Sequence, residues 1–399
     1  MIGDGWNDEP SVRPTPMDPP VQGRRRVAVV TGTRAEFGLL RPVMHAIAAR
    51  PDLELAVIAA GAHLISPALT FHDVKASFNI ADVVPMQIAG KTGRVEDAEA
   101  LGRGVARFTR AFEKLRPDWV LVLGDRIEAF AAAAAGSVAG YAVAHIHGGD
   151  RAEGVADEAM RHAITKLSHL HLPATAQSAE RIIRMGEPKE RVRVIGSPAI
   201  DGLDAIPPLR DEQMTEALGE GVQVPTALLL LHPIGRSTEL EEAGAAEVLE
   251  GLRGERVLAL MPNFDPGREG IVRAIESAGV PARQHMPRDK FIGLLRRMAA
   301  GGGVLVGNSS AGLIEAAALA VPVVDIGPRQ GGRERCGNVV HLEQERADAV
   351  RAALAAARAL PKGPITHPYG DGHAGERAAA VLAEVSPHQP GLLRKRNTY

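Results

Sequence analysis

Short apolar runs and helical patterns alternate along nearly the whole chain, and the alternation runs through twice. VAVVT (27–31), LELAVIAAG (53–61), WVLVLGD (119–125), YAVAHI (141–146), LHLPA (170–174) and VRVIG (192–196) read as strands. Helical spacing falls between them at about 37–49, 93–115, 127–140, 157–168 and 178–186. Apolar runs this short, without polar alternation, are strands buried on both faces, so the order predicts a parallel sheet between helical layers. SPAIDGLDAIPPLR (197–210), with its three prolines, interrupts the pattern. It then restarts with ALLLLHP (227–233), RVLALMP (256–262), GVLVGN (303–308) and VPVVDIG (321–327) as strands. Helices are expected at 237–252, 267–278, 288–299, from Ala311, and near 346–359 and 373–385. The expected fold is α/β, with two Rossmann-like doubly wound domains facing across a cleft. The expected parts are a disordered tail (1–23), an N-terminal domain (24–203), a C-terminal domain (204–372), and a C-terminal helix and tail (373–399).

Composition narrows what such domains do. Aromatic residues make up 3% of the chain, so aliphatic side chains and Ala form the core and base-stacking platforms are disfavoured. Lys and Arg number 46 against 48 acids, a formal charge of −2 that draws the protein to neither nucleic acid nor an anionic membrane. Cys336 is the single cysteine, which excludes an intrachain disulfide and a cysteine zinc cluster. Residues 1–23 contain no apolar run of the signal-peptide kind. The longest apolar stretch, 129–144, is broken by Gly136 and Gly140 and is too short to span a bilayer. A cytoplasmic protein without a membrane or nucleic-acid partner is expected.

The polar motifs sit where strands end, which in doubly wound sheets is where ligands bind. TGTRAEFG (31–38) follows the first strand and offers Arg34 and Glu36; the plainer alternative is an ordinary polar turn. It is neither the G-x-G-x-x-G fingerprint nor a Walker A loop. LGDRIEAF (123–130) places Asp125 directly after a buried strand, either as an acid with a tunable pKa or as a helix cap. HIHGGDRAEGVADEAMRHAITKLSHLH (145–171) gathers His147, Asp150, Glu153, Asp157, Glu158, Arg161 and His162 around a glycine pair. On a helix, Asp157 and Arg161 are i,i+4 neighbours, as are Glu158 and His162. No H-E-x-x-H occurs and the His spacings match no common zinc site, so no metal is expected. The competing description is a solvated helix face with capping acids.

In the second half, His232 ends a strand, and PNFDPGREG (262–270) sets Asn263 and Asp265 near a helix start. GNSSAGLIEA (307–316) puts Ser309 and Ser310 at a helix N-terminus, a place suited to phosphate, with Glu315 further along for a ribose diol. Ser309 could equally be a simple N-cap. DIGPRQGGRERCGNV (325–339) carries Arg329, Gln330, Arg333 and Arg335 on a Gly-rich loop, and arginine forks recognise phosphate bidentately. A phosphate and ribose site in one half and an acid-rich site in the other is the layout of a nucleotide-sugar enzyme of the GT-B type.

Taken in order, TGTRAEFG, LGDRIEA, HIHGGD, DEAMRHAITKLSH, MGE, GSPAID, PNFDPG, GNSSAGLIEA and DIGPRQ resemble the hydrolysing UDP-N-acetylglucosamine 2-epimerases of the sialic and legionaminic acid branch. The resemblance runs from about 27 to 380. It implies a two-step reaction needing no metal or redox cofactor. Loss of the C2 proton and of UDP gives a glycal, to which water adds. It further implies Asp125, Asp150, Asp157, His147 and Glu158 as the catalytic candidates. Arg34, Glu36, His63, Arg126 and Arg161 are implied as substrate contacts in the first half. His232, Asn263, Asp265, Ser309, Ser310, Glu315, Arg329, Gln330 and Arg333 are implied in the second. Asp150 stands where most relatives carry Glu, and His147 where some place a catalytic Glu. A homodimer or homotetramer is expected by resemblance. UDP- or GDP-linked diacetylbacillosamine is the alternative substrate. A GT-B glycosyltransferase and a nucleotide-sugar-binding regulator are the alternative classes.

Overall fold

The computed structural model describes residues 23–398 apart from 67–68, 92, 152–156, 220–222, 264, 285, 362 and 364. The expected tail therefore lies, but for Gly23, outside the described residues. The chain forms two compact units. The first comprises Met1–Asp150, Asp157–Asp201 and Gly370–Tyr399; the second comprises Arg151–Ala156 and Gly202–Tyr369. Among the described residues no helix is long and apolar enough to cross a membrane.

The first unit is built on six parallel strands: β1 (Arg25–Thr31), β2 (Leu53–Ala60), β3 (Ile80–Val84), β4 (Trp119–Leu123), β5 (Ala142–Ile146) and β6 (Leu170–Leu172). Their spatial order is β3-β2-β1-β4-β5-β6. Every residue of β4 is buried, as a central strand covered on both faces requires. Successive residues of β1 serve opposite cores. Val27 and Val29 pack with Leu40, Leu53 and Trp119, whereas Ala28 and Val30 pack with Ile58, Phe108 and Phe112. The C-terminal helix Ala374–Glu384 closes the first of these cores. Its opening N–H groups, of Ala374 and Gly375, donate to the Asp201 carboxylate at 3.0 and 2.6 Å. Gly375 lies so close to Pro42 that a Cβ would approach its carbonyl oxygen to 2.8 Å.

The second unit repeats the plan with β7 (Ala227–Leu230), β8 (Val257–Leu260), β9 (Ala282–Arg283), β10 (Val304–Gly307), β11 (Val323–Ile326) and β12 (Val339–Leu342). The order is β12-β11-β10-β7-β8-β9, so both sheets start at the centre, wind outward one way, then return and wind the other. The reversal falls between β1 and β4 in one sheet and between β7 and β10 in the other. Those are the crevices in which doubly wound folds hold ligands.

Three local expectations change. Residues 192–196 are not a full strand; they make one bridge, His171 to Val192. Arg193 and Ile195 do donate to the carbonyls of His171 and Pro173, but Pro173 has no N–H with which to continue the ladder. The helix expected from Ala311 is two short turns, Ser310–Leu313 and Glu315–Ala318, hinged at Ile314. The first helix begins three residues earlier than expected, at Arg34, because Thr33 caps it through a bond from Glu36 N–H at 3.3 Å.

Candidate active site

At the β1–β4 crevice of the first unit, the groups sort into three sets. The first surrounds a buried acid pair. Glu36 turns back from the first helical turn to accept Gly32 N–H at 2.6 Å. Burial, with the nearby Glu128 carboxylate adding to it, pushes the Glu36 carboxyl up to about 8. Glu128 is fully buried and accepts from Gln87 Nε2 at 2.7 Å. Gly32 and Gly61 lie directly over it, where a Cβ on either would collide with its side chain. One oxygen of each carboxyl, Glu36 Oε1 and Glu128 Oε2, is buried without a hydrogen-bond partner among the described residues. Arg126, the residue preceding the helix Ile127–Val138, acts electrostatically on Glu36. Arg34 stays half-exposed, 3.5 Å from Asp73. His63 lies beneath, with Nε2 on Thr31 Oγ1 at 3.0 Å and Nδ1 on Thr70 Oγ1 at 2.6 Å. Burial lowers it to about 4, so it is neutral, and both its ring nitrogens are taken.

The second set is an ion pair between Asp125 and Arg161, both largely buried. Asp125 is not the helix cap: the capping position is Arg126, and it makes no side-chain capping bond. Glu158 faces His162 at 3.5 Å, as their helical spacing predicts. Asp157 begins the helix Asp157–Leu167. Its side chain, and Glu153, lie outside what is described.

The third set is the turn after β5. His147 Nδ1 meets Asp150 Oδ2 at 2.8 Å and its Nε2 meets Ser197 Oγ at 3.0 Å, while Ser178 Oγ donates to Asp150 Oδ1 at 2.8 Å. The remaining histidines scatter. His145 bonds the Gly124 carbonyl at 2.8 Å and is lowered to about 3 by burial. His169 accepts Val143 N–H, and His171 bonds Glu187. Among the described residues no three His, Cys, Asp or Glu side chains are placed to share a metal ion.

In the second unit, Asn308 organises the β7–β10 crevice. Its Oδ1 accepts His232 N–H and its Nδ2 donates to the His232 carbonyl, both at 2.8 Å, so one side chain fixes the backbone at the end of β7. Its own carbonyl accepts from Arg329 at 3.2 Å and from Gln330 at 2.8 Å. His232 Nδ1 accepts Asn263 N–H at 3.2 Å, and burial, with the Arg329 charge, lowers the ring to about 3. The imidazole is therefore neutral, and its proton sits on Nε2, where it can serve an anionic ligand. Asn263 also bonds Asp265. Ser309 is an N-cap, accepting Ala311 N–H at 3.4 Å, with Ser310 opening the short turn. Glu315 pairs with Arg288 at 3.5 Å, and Arg333 bonds the Arg151 carbonyl at 2.9 Å. Arg335 leaves the loop cluster, committed to Asp325 at 2.8 Å.

Sequence reasoning missed Glu128, Ser178, Ser197 and Asn308. Asn308 carried a signal, standing at the end of GVLVGN. Ser197 lay in the GSPAID motif without being singled out, and Ser178 carried no signal; they stand 50 and 28 residues from the side chains they meet.

Two doubly wound parallel sheets, each with polar groups at its switch point, define a two-domain α/β protein of the GT-B type. The fold matches UDP-GlcNAc 2-epimerase from Neisseria meningitidis bound to UDP-GlcNAc, with a TM-score of 0.74 at 19% identity, covering 90% of this chain and 100% of that one. The Methanocaldococcus jannaschii enzyme in complex with UDP-GlcNAc and UDP gives 0.74 at 18% identity, with the same coverage. In sequence, the chain is 35% identical to the UDP-N,N'-diacetylbacillosamine 2-epimerase (hydrolyzing) of Legionella pneumophila, over 94% of this chain and 100% of that protein. It is 33% identical to a UDP-N-acetylglucosamine 2-epimerase of Neisseria meningitidis serogroup B, over 80% and 84%. The family model described as UDP-N-acetylglucosamine 2-epimerase matches residues 45–383, and the chain belongs to that family.

Proposed function

We propose that the protein is a hydrolysing 2-epimerase of a UDP-linked 2-acetamido sugar, taking UDP-N-acetylglucosamine to N-acetylmannosamine and UDP. The observation that carries this is a division of labour. Carboxylates and an imidazole that can exchange protons collect at the strand ends of the first unit, whereas His232, Asn308 and Arg329, suited to an anion, collect at those of the second. The diacetylated sugar is the second substrate to assay, favoured by the full-length Legionella relative.

In the first step a base takes the C2 proton, the C2–H electron pair forms the C1–C2 double bond, and the C1–O bond breaks with its electron pair departing on UDP. In the second, water supplies hydroxyl to C1 and a proton to C2 on the opposite face. Asp125, Asp157, Glu158, His147 and Asp150 are the proton-handling candidates. Glu36, Arg126 and Arg161 are assigned to the sugar side and Arg34 to the leaving diphosphate, whereas His63, fully buried with both ring nitrogens bonded to Thr31 and Thr70, is removed from the contacts that the resemblance implied. Arg329 and Arg333, Ser309, Ser310, His232 and Gln330 are assigned to the leaving diphosphate. Asn263, Asp265 and Glu315 are assigned to the nucleoside. No cofactor enters this scheme, and a cytoplasmic homodimer or homotetramer accompanies it.

The test is incubation with each UDP-sugar in heavy water. UDP and a free 2-acetamido sugar deuterated at C2 are expected; UDP release without C2 deuterium refutes the reading. Acceptor-dependent turnover would make the protein a glycosyltransferase instead. Asp125→Asn is expected to lower turnover by at least about a hundredfold, the usual worth of a positioned acid or base, with UDP affinity kept.

A further inference from the structure

The turn after β5 carries more order than a pair of catalytic candidates needs. His147 has a φ of +62°, a left-handed conformation uncommon outside glycine and held only where surroundings enforce it. Here they do. Arg181 bonds the Gly149 carbonyl at 3.0 Å, and Gly149, itself at φ +76°, sits against the Ser178 carbonyl where a Cβ has no room. His147, Asp150, Ser178 and Ser197 are all buried.

The hydrogen bonds along this turn have one consistent direction. Thr175 Oγ1 donates to Ser178 Oγ at 3.2 Å, so the Ser178 hydroxyl proton goes to Asp150 Oδ1 at 2.8 Å. On the other side, Ser197 Oγ accepts Ala199 N–H at 3.3 Å. Among the described residues its own proton has one acceptor, His147 Nε2 at 3.0 Å. If that proton is used, Nε2 is the unprotonated nitrogen and the ring proton lies on Nδ1, facing Asp150 Oδ2 at 2.8 Å. Asp150 faces a donor on each oxygen, Ser178 Oγ and His147 Nδ1, beside the N-terminal turn of the helix Ala176–Arg184, surroundings that favour a carboxylate.

We propose that Ser197 and Ser178 are positioning residues which together hold His147 as the neutral, Nδ1-protonated imidazole against an ionised Asp150. The proposal rests on the epimerase reading for its kinetic consequence and not for its structural one. The arrangement resolves the roles within the turn: Asp150 orients and balances charge, while the imidazole is the group able to accept a proton. If it does so at Nε2, the Ser197 hydroxyl changes from donor to acceptor, and Asp150 already faces the new charge.

The experiment is nitrogen-15 NMR of the full chain labelled at histidine, with the His147 signals assigned by their loss in His147→Gln. At neutral pH the wild type is expected to show Nδ1 protonated and Nε2 bare. Asp150→Asn offers an amide donor to Nδ1 and is expected to move the proton to Nε2. The Nε2-protonated tautomer or an imidazolium in the wild type overturns the proposal, and that spectrum, once assigned, decides even if Asp150→Asn or Ser197→Ala fails to fold. For kinetics, Ser197→Ala and Asp150→Asn are each expected to lower kcat by at least about tenfold while KM moves less than about threefold, as expected when orientation and not binding is lost. Folded variants with an unchanged kcat overturn the positioning role. If the wild type releases no UDP from any UDP-sugar, the epimerase reading falls, while the tautomer still tests the hydrogen-bond chain.

Discussion

Replacing Glu36 by Gln removes a carboxyl that the fold holds in its neutral form. The group is 4% exposed, and burial, aided by Glu128, lifts it from 4.5 to about 8. The folded chain therefore binds this proton more tightly than the unfolded chain. Its contribution to stability is complete below the unfolded value and is lost as the pH climbs through the folded one. Each pH unit across that interval is worth about 1.4 kcal/mol, so the whole interval amounts to ~5 kcal/mol, of which about 3 kcal/mol is gone by neutral pH. Glutamine cannot ionise, and its carbonyl can still accept Gly32 N–H, the bond that Glu36 makes at 2.6 Å. Urea unfolding of the two proteins between about pH 5 and pH 8 is the assay, following the transition that reports Trp119, which is buried in the first unit. The Gln variant is expected to gain on the wild type by about 4 kcal/mol over that range, with the gap levelling off at higher pH. Glu128→Gln is expected to reduce the wild-type slope, because it deletes the neighbouring charge. A stability gap that is flat in pH, or that narrows as pH rises, would mean that Glu36 is ionised in the fold and would refute the reasoning.

Asn308→Ala strips the partners from the N–H and carbonyl of His232, and unsatisfied backbone groups cost about 1–3 kcal/mol each. Calorimetric titration should show weakened UDP binding together with a lowered melting temperature; unchanged UDP affinity would remove His232 and Asn308 from the proposed nucleotide site. Gly149→Ala forces a Cβ against the Ser178 carbonyl at a φ of +76°. A loss of more than ~2 kcal/mol is expected, and a melting curve that coincides with wild type would show the turn to be looser than described.

What the sequence disclosed follows from where each residue lies in the sheets. Central strands such as β1, β4 and β10 are continuous apolar runs because helices cover both faces, and so they are legible without tertiary knowledge. β3 and β12 escaped notice for the opposite reason. They are the outermost strands of their sheets, only partly buried, and carry Asp82 and His341. The segment 192–196 looked like a strand because its composition is right, but pairing is a property of two partners, and Pro173 withholds the N–H that its side of the ladder needs. The same distinction divides the site. Asp125, His232, Asn263 and Ser309 are legible because a polar residue just past a buried strand must emerge at the sheet edge where ligands bind. The histidines of 145–171 suggested a cluster by spacing alone. The parallel register sets His145 beside His171, yet their side chains serve Gly124 and Glu187 separately. Glu128 illustrates the remaining gap. Nothing local marks it as different from any helical glutamate, and its importance comes from two glycines, 32 and 61, that distant strands bring over it. A residue whose surroundings are made by other strands becomes readable only when the winding order is known, and in this protein the acid pair, the Ser197–His147 contact and the Asn308 clamp are all of that kind.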